Sequence, residues 1–291
     1  MTVMITGAEG SIGRAAIPAL LATNPEVRAA IGVDENAGAL RALGAKVTTG
    51  RLDDAASLAA VLGGIHTLIH LVGGIEPADD AAIFEANHRS TLIALGAARS
   101  ARVERFVLLS YPGASTGASH PFLRAKGIAE EAVIHSGLEY AILRCTHVIG
   151  AGELWFTSAV EAAGSAPAFV IEPATQSVAP VSAGDVAKVL ASLDDEGERI
   201  EGTWALEGPD ALDPRELSEL FGASDPEALA PSEAAARLTD SLGFPVGRAA
   251  AELFAMPSRA NAPDAASAFG VERTGLTDAI HEVAASLGLE R

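Results

Sequence analysis

The feature that most constrains this 291-residue chain is the segment Thr6-Gly7-Ala8-Glu9-Gly10-Ser11-Ile12-Gly13. A short apolar run, residues 3–6, precedes it, and a stretch with helical spacing, residues 12–22, follows. Three glycines, each separated from the next by two residues and placed between a strand and a helix, have a specific use. Gly7 permits a tight turn, Gly10 lets a ligand reach the backbone with no Cβ in the way, and Gly13 allows the helix to pack closely on the strand. The helix N-terminus then presents unpaired N–H groups and the positive end of its dipole, which suits the phosphates of a dinucleotide. Gly7, Ala8, Gly10, Ser11, Ile12 and Gly13 are therefore candidate cofactor-binding residues.

The rest of the first half keeps the alternation that such a loop requires. Strands are expected at 27–33, 46–49, 67–71, 106–110 and 139–144, and helices at 37–43, 55–62, 81–101 and 122–136. Gly44 and Gly137 are expected to stop two of these helices. The spacing predicts a Rossmann-type, doubly wound parallel α/β sheet. After residue 150 the rhythm loosens. A helix at 155–163, an extended segment at 169–172, a capping box from Ser182 to Asp185 opening a helix at 186–193, and a strand at 203–207 are expected. Asp213-Pro214-Arg215-Glu216 is a second capping box. Residues 1–150 thus read as a dinucleotide-binding domain. Residues 151–291 read as a smaller, mainly helical substrate lobe, with 178–207 returning to the sheet.

Composition narrows the partners. The formal charge of −18 opposes phosphate backbones and anionic lipid, so no nucleic acid and no membrane is expected. Aromatic residues make up only 4% of the chain, so its core is built mainly from Ala, Val, Leu and Ile. The single Cys145 lies in an apolar run and reads as a buried small hydrophobe. The seven histidines are scattered, and no metal cluster is expected. With a first strand starting at residue 2 or 3 and no membrane-length apolar run, a cytoplasmic protein acting on a small molecule is expected, with a homodimer possible.

Asp34 closes the second strand, roughly 20 residues beyond the glycines, where an acid bonds the adenosine ribose of NAD and repels the extra phosphate of NADP. Arg14 sits where it reaches a 2′-phosphate instead. The cofactor is therefore NAD or NADP, with Asp34 favouring NAD.

These residues resemble the short-chain dehydrogenase/reductase superfamily, specifically its extended and atypical NmrA-like members. The glycine loop has their G-x-x-G-x-x-G spacing. Gly50-Arg51-Leu52-Asp53-Asp54 is similar to their G-D-x-x-D segment, with Arg51 in place of the usual acid. His70-Leu71-Val72-Gly73-Gly74, Asn87, Phe106-Val107-Leu108-Leu109-Ser110, Lys126, Glu130, and later Glu207-Gly208-Pro209 continue the likeness over nearly the whole chain. The resemblance implies that Leu52, Asp53, Leu71, Val72 and Gly73 line the cofactor and that Lys126 holds the nicotinamide ribose. It also implies an NAD(P)-dependent oxidoreductase moving hydride to or from a small or polycyclic organic substrate.

One departure bears on the chemistry. The superfamily's pair is Y-x-x-x-K, in which the phenol moves the proton. Here the segment reads Phe122-Leu123-Arg124-Ala125-Lys126, and Phe122 has no proton to give. Tyr111, after Ser110 at the carboxyl end of the fifth strand, is the candidate replacement, with Ser110 as a polar helper. The alternatives are a redox-sensing regulator that binds cofactor without chemistry, and a non-redox isomerase or dehydratase. His120 reads as a surface-loop residue, and His147 as a residue after the sixth strand able to face the pocket. Lys126 and Glu130 are spaced for an i,i+4 ion pair. Trp155 and Phe156 read chiefly as packing between the lobe and the sheet.

Overall fold

The computed structural model describes residues 2–32, 36–76, 79–194 and 200–288. Its first half runs β1 (Thr2–Thr6), α1 (Ser11–Leu21), β2 (Glu26–Ile31), α2 (Ala37–Ala42), β3 (Lys46–Thr49), α3 (Ala55–Val61), β4 (Thr67–His70), α4 (Asp80–Phe84), a π-helical turn (Glu85–Arg89), α5 (Ser90–Ala101), β5 (Arg105–Ser110), α6 (Pro121–Ile134) and β6 (Glu139–Cys145). The second half runs β7 (Val148–Ile149), α7 (Leu154–Gly164), β8 (Phe169–Ile171), β9 (Val181–Ser182), α8 (Ala183–Ser192), β10 (Gly202–Leu206), α9 (Pro214–Leu220), β11 (Glu227–Leu229), α10 (Pro231–Leu242), α11 (Arg248–Phe254), α12 (Ala265–Ala268) and α13 (Leu276–Ser286).

Seven parallel strands form one sheet in the order β10-β6-β5-β4-β1-β2-β3. The strands are apolar on both faces because helices cover both. One face packs Val3, Ile5, Val107 and Leu143 under α1, α2 and α8; the other packs Met4, Leu68, Phe106 and Ile142 under α3, α5 and α6. The order steps outward from β1 in both directions, so the chain switches direction between β1 and β4. That is where ligands of doubly wound sheets sit, beyond the carboxyl ends of the strands. The doubly wound parallel reading therefore holds, with β10 added beside β6.

Local chemistry sets the helix starts. Asp54 opens α3 by accepting from the Ser57 N–H at 2.8 Å. Asp213 and Glu216 form the expected reciprocal capping box on α9. The Ser182 box differs: Ser182 caps α8 by accepting from Gly184 N–H, but Asp185 does not reach back. Its carboxylate accepts instead from the Thr274 N–H and hydroxyl and from Lys188, tying the tail to α8.

The long helix expected over 81–101 is interrupted by the π-helical turn. The Asn87 amide donates to the carbonyls of both Ile83 and Gly74, each at 2.8 Å, and so pins the turn to the loop after β4. Ser90 and Thr91 bond back to the carbonyls of Ala86 and Asn87. A π-bulge of this kind is a local feature found at functional sites. Helical periodicity carries no trace of the bond to Gly74, which spans 13 residues.

A third apolar cluster joins the two halves, with Ile75, Ile83, Tyr111 and Phe122 from the first half among its members. Trp155, Phe156, Phe169, Leu217, Leu238 and Phe254 pack together beside the carboxyl edge of the sheet. Among the described residues, no helix is long and apolar enough to cross a membrane.

Candidate active site

Four strand ends meet at one edge of the sheet: Gly7 after β1, Leu71, Gly73 and Gly74 after β4 (Val72 is not among the lining residues), Ser110 and Tyr111 at β5, and Cys145–His147 at the end of β6. They surround a cleft of about 220 Å³ that also takes Ile12, Gly13, Lys126, Glu153, Trp155 and Phe254 into its wall.

The glycines are required by close backbone approach. Gly7 has φ +77°, and a Cβ there would lie 2.9 Å from Leu71 C and Val72 N. A Cβ on Gly13 would lie 2.5 Å from Ala8 Cα, against backbone that cannot yield. Gly73 has φ +121°, and a Cβ there would lie 2.6 Å from Asn87 Oδ1. Gly10 is different: its added Cβ would meet only Gly7 O, at 3.8 Å. The space before Gly10 is open, and α1 begins there with no side-chain cap. An uncapped helix N-terminus behind an open glycine fits a pyrophosphate in geometry and in dipole sign.

Ala8 is fully buried beneath Gly13 rather than lining the cleft. The Ser11 hydroxyl donates to Glu153 Oε1 at 2.5 Å. Burial pushes the Glu153 carboxyl above its ordinary range, against the lowering effect of the Ser11 hydrogen bond. Leu52 and Asp53 are not among the lining residues; Asp53 is exposed and paired with Arg51. Asp34 lies outside the described residues. Arg14 donates to Glu9 O and to Asn36 Oδ1 (3.4 Å).

Lys126 comes from α6 and is 6% exposed. Its Nζ donates to Leu109 O at 3.0 Å and lies 5.7 Å from the centroid of the Phe122 ring. Burial pushes its ammonium down to about 8, against the pull of Glu130 and Glu76. The expected Lys126–Glu130 ion pair does not form. Glu130 turns inward to accept from Ser110 Oγ at 2.5 Å and from Arg144 at 2.6 and 2.9 Å. A guanidinium offers two aligned donors and a buried carboxylate needs both, so Arg144 takes the place of the lysine.

Tyr111 is buried, and its hydroxyl donates to Ser258 Oγ at 2.9 Å, with the edge of the His147 ring at 3.2 Å. Ser258 also accepts from the His147 backbone N–H at 3.2 Å. Burial pushes the phenol up, so it keeps its proton. Phe122 meets the Tyr111 ring edge to face at 5.8 Å. His147 faces the cleft and stacks on Trp155, with ring centroids 4.5 Å apart and planes 4° from parallel. Trp155 is therefore a wall of the cleft as well as lobe packing, while Phe156 packs on Phe221. His120 is not a surface residue. It is buried, and its Nε2 bonds the Ala249 carbonyl at 2.9 Å. Cys145 is buried, with its thiol pushed up by burial. Ser258 was absent from the candidates; it lies 147 positions from Tyr111, and no local pattern marks it.

Buried His70 and His147 make the protein acid-sensitive. Burial pushes both imidazoles down to about 3. An unfolded histidine takes up a proton near pH 6.5, so between pH 6.5 and 3 the unfolded state holds protons that the folded state does not. Stability is therefore complete above pH 6.5 and is lost as pH falls, by roughly 2 kcal/mol per histidine at pH 5. Urea denaturation at pH 7 and pH 5 measures the loss, and His70→Gln is expected to reduce it by about half. Equal stability at the two pH values would contradict the burial of these rings.

Fold and cleft together define a dinucleotide-binding α/β protein. Residues 7–196 match the model of a family described as NAD(P)H-binding, and the chain belongs to that family. This agrees with its resemblance to the atypical, NmrA-like short-chain dehydrogenases/reductases. The photosystem II assembly factor Ycf39 of Cyanophora paradoxa is 28% identical over 144 residues, 50% of this chain and 44% of that protein. The NADH dehydrogenase [ubiquinone] 1 alpha subcomplex subunit 9, mitochondrial, of Arabidopsis thaliana is 30% identical over 228 residues, 75% of this chain and 56% of that protein. The chain thus spans about half the length of these curated relatives. The Citrobacter sp. triphenylmethane reductase complexed with NADP(H) has the same fold, with a TM-score of 0.76 at 18% identity over 97% of this chain and 100% of that one.

Proposed function

We propose that the protein is an NAD(P)-dependent oxidoreductase that reduces a carbonyl or related acceptor on a small or polycyclic organic molecule. The observation that carries this reading is the convergence of the glycine cradle, Lys126 and Tyr111 on one cleft. Bound there, a nicotinamide dinucleotide supplies the hydride.

The chain's own residues do the rest. Gly7, Gly10 and the α1 N-terminus hold the pyrophosphate. Lys126 spends one of its three donors on Leu109 O and offers the others to the nicotinamide ribose. Tyr111 keeps its proton because it is buried, which suits it to protonate a developing alkoxide and unsuits it to act as a base. Ser258 and the His147 ring orient the phenol. Phe122, Leu154, Trp155, Leu253 and Phe254 supply an apolar wall that excludes water and fits an apolar substrate body.

Phe122 at the usual tyrosine position supports a second reading, a cofactor-binding regulator without chemistry, and the fold-sharing reductase complexed with NADP(H) does not distinguish the two. Anaerobic oxidation of NADH and NADPH, followed at 340 nm with a panel of quinones and aromatic ketones, separates them. Turnover that falls on the order of 10²-fold in Tyr111→Phe, with nucleotide affinity unchanged, supports the enzyme. Tight nucleotide binding with no turnover of any acceptor supports the regulator.

A further inference from the structure

A second cavity, of about 60 Å³, lies in the lobe between α7, β8 and α9. Phe169, Leu217 and Leu238 give it apolar walls. Trp155 and Phe254 are shared with the cleft and form the partition between the two spaces. Half-buried Ala159, Ile171 and Pro214 also line the cavity and make its outer rim.

Two polar groups interrupt the apolar lining. Ser158 on α7 and Ser218 on α9 are 3% and 5% exposed, and neither hydroxyl has a hydrogen-bond partner. Two other helical serines satisfy themselves on the carbonyl four residues back, Ser100 on Gly96 and Ser192 on Lys188, and Ser165 just past α7 does the same on Glu161. Ser158 and Ser218 do not, although both sit in helices where that bond is available. Buried hydroxyls left unpaired are unfavourable, and two on facing helices around one cavity are satisfied together by a single guest. At 10–15 Å³ for each water-sized group, the cavity has room for about four of them.

We propose that this cavity is a second small-molecule site, separate from the nucleotide cleft, for a compact apolar molecule carrying one hydroxyl or carbonyl oxygen. The Ser158 and Ser218 hydroxyls hold that oxygen, and the aromatic and leucine walls take the carbon body. The guest touches Trp155, which lines both spaces, and so meets the cleft wall from outside the cleft. This proposal does not depend on the oxidoreductase reading.

The test uses 2-fluoroethanol, with four non-hydrogen atoms, as a ¹⁹F NMR probe of the full chain and fluoroethane as its hydroxyl-free counterpart. Saturable binding of 2-fluoroethanol is expected, about tenfold tighter than that of fluoroethane, as one recovered hydrogen bond implies. The preference is expected to vanish in the Ser158→Ala, Ser218→Ala double variant. Binding of both probes is expected to be lost in Ala162→Phe, which fills the cavity from α7. If Ala162→Phe does not fold, Ala159→Phe at the rim serves the same purpose. Saturating NADH or NADPH is expected to leave the probe bound. No saturable binding, equal affinity for the two probes, or displacement of the probe by nucleotide would overturn the proposal.

Discussion

Gly13→Ala is expected to destabilise the protein by about 2–3 kcal/mol and to abolish measurable nucleotide binding. The added methyl would lie 2.5 Å from Ala8 Cα and 2.8 Å from Ala8 O. Alanine is the better helix former by up to about 1 kcal/mol, but that gain is smaller than the cost of driving backbone from backbone. Relief requires the loop to part from α1, and the phosphate cradle goes with it. Gly10→Ala is the informative contrast. Gly10 has φ −70° and ψ 169°, a conformation alanine adopts freely, and its Cβ would touch only Gly7 O at 3.8 Å. Its stability is expected to stay within about 0.5 kcal/mol of the parent. Its nucleotide affinity is expected to drop at least about tenfold, because the methyl occupies the approach to the pyrophosphate. Urea denaturation and calorimetry on the two variants read both quantities. Two variants equally stable and equally competent would remove the steric account of the loop.

Lys126→Met is expected to lower kcat on the order of 10²- to 10³-fold while leaving the fold intact. Methionine keeps the apolar stem that lies beside Phe122 and removes the ammonium, so a buried cation that costs desolvation is lost along with its function. The pH profile supplies a second readout. Lys126 loses its charge as pH rises through about 8, so in the parent protein the step that needs the charge is expected to decline above that pH. Lys126→Met is expected to show no such limb. Lys126→Arg keeps a charge that does not titrate in this range and is expected to shift the limb beyond it. Unchanged turnover in Lys126→Met would show that the lysine is a structural residue bonded to Leu109 and nothing more.

Sequence and structure agree most closely where function depends on neighbours in the chain. The turn at Gly7, the start of α1, the cap on α9 and the parallel alternation are all set by residues within a few positions of each other, and each has a local signature. The site's finer chemistry depends on meetings between distant segments. Ser11 meets Glu153 across 142 positions, Tyr111 meets Ser258 across 147, and His120 meets Ala249 across 129. No periodicity or motif encodes these. Glu130 illustrates the limit most directly. Its spacing from Lys126 is right for an ion pair on one helix, yet the competition was decided by Arg144, which arrives from β6 with two donors. The π-helical turn at Asn87 follows the same logic, because the Asn87 amide also reaches the carbonyl of Gly74, outside the helix. Tyr111 was legible as a candidate from its place at the carboxyl end of β5. That its hydroxyl is buried and held by Ser258 was not.

The account rests on the cleft being a nicotinamide dinucleotide site. Calorimetric titration of the purified protein with NAD, NADH, NADP and NADPH, in parallel with the Gly10→Ala variant, tests this most directly. The account predicts that one redox pair binds with a Kd on the order of 1 μM to 1 mM, and that the variant binds it at least about tenfold more weakly. No heat of binding from any of the four nucleotides, or identical binding by the two proteins, would contradict it.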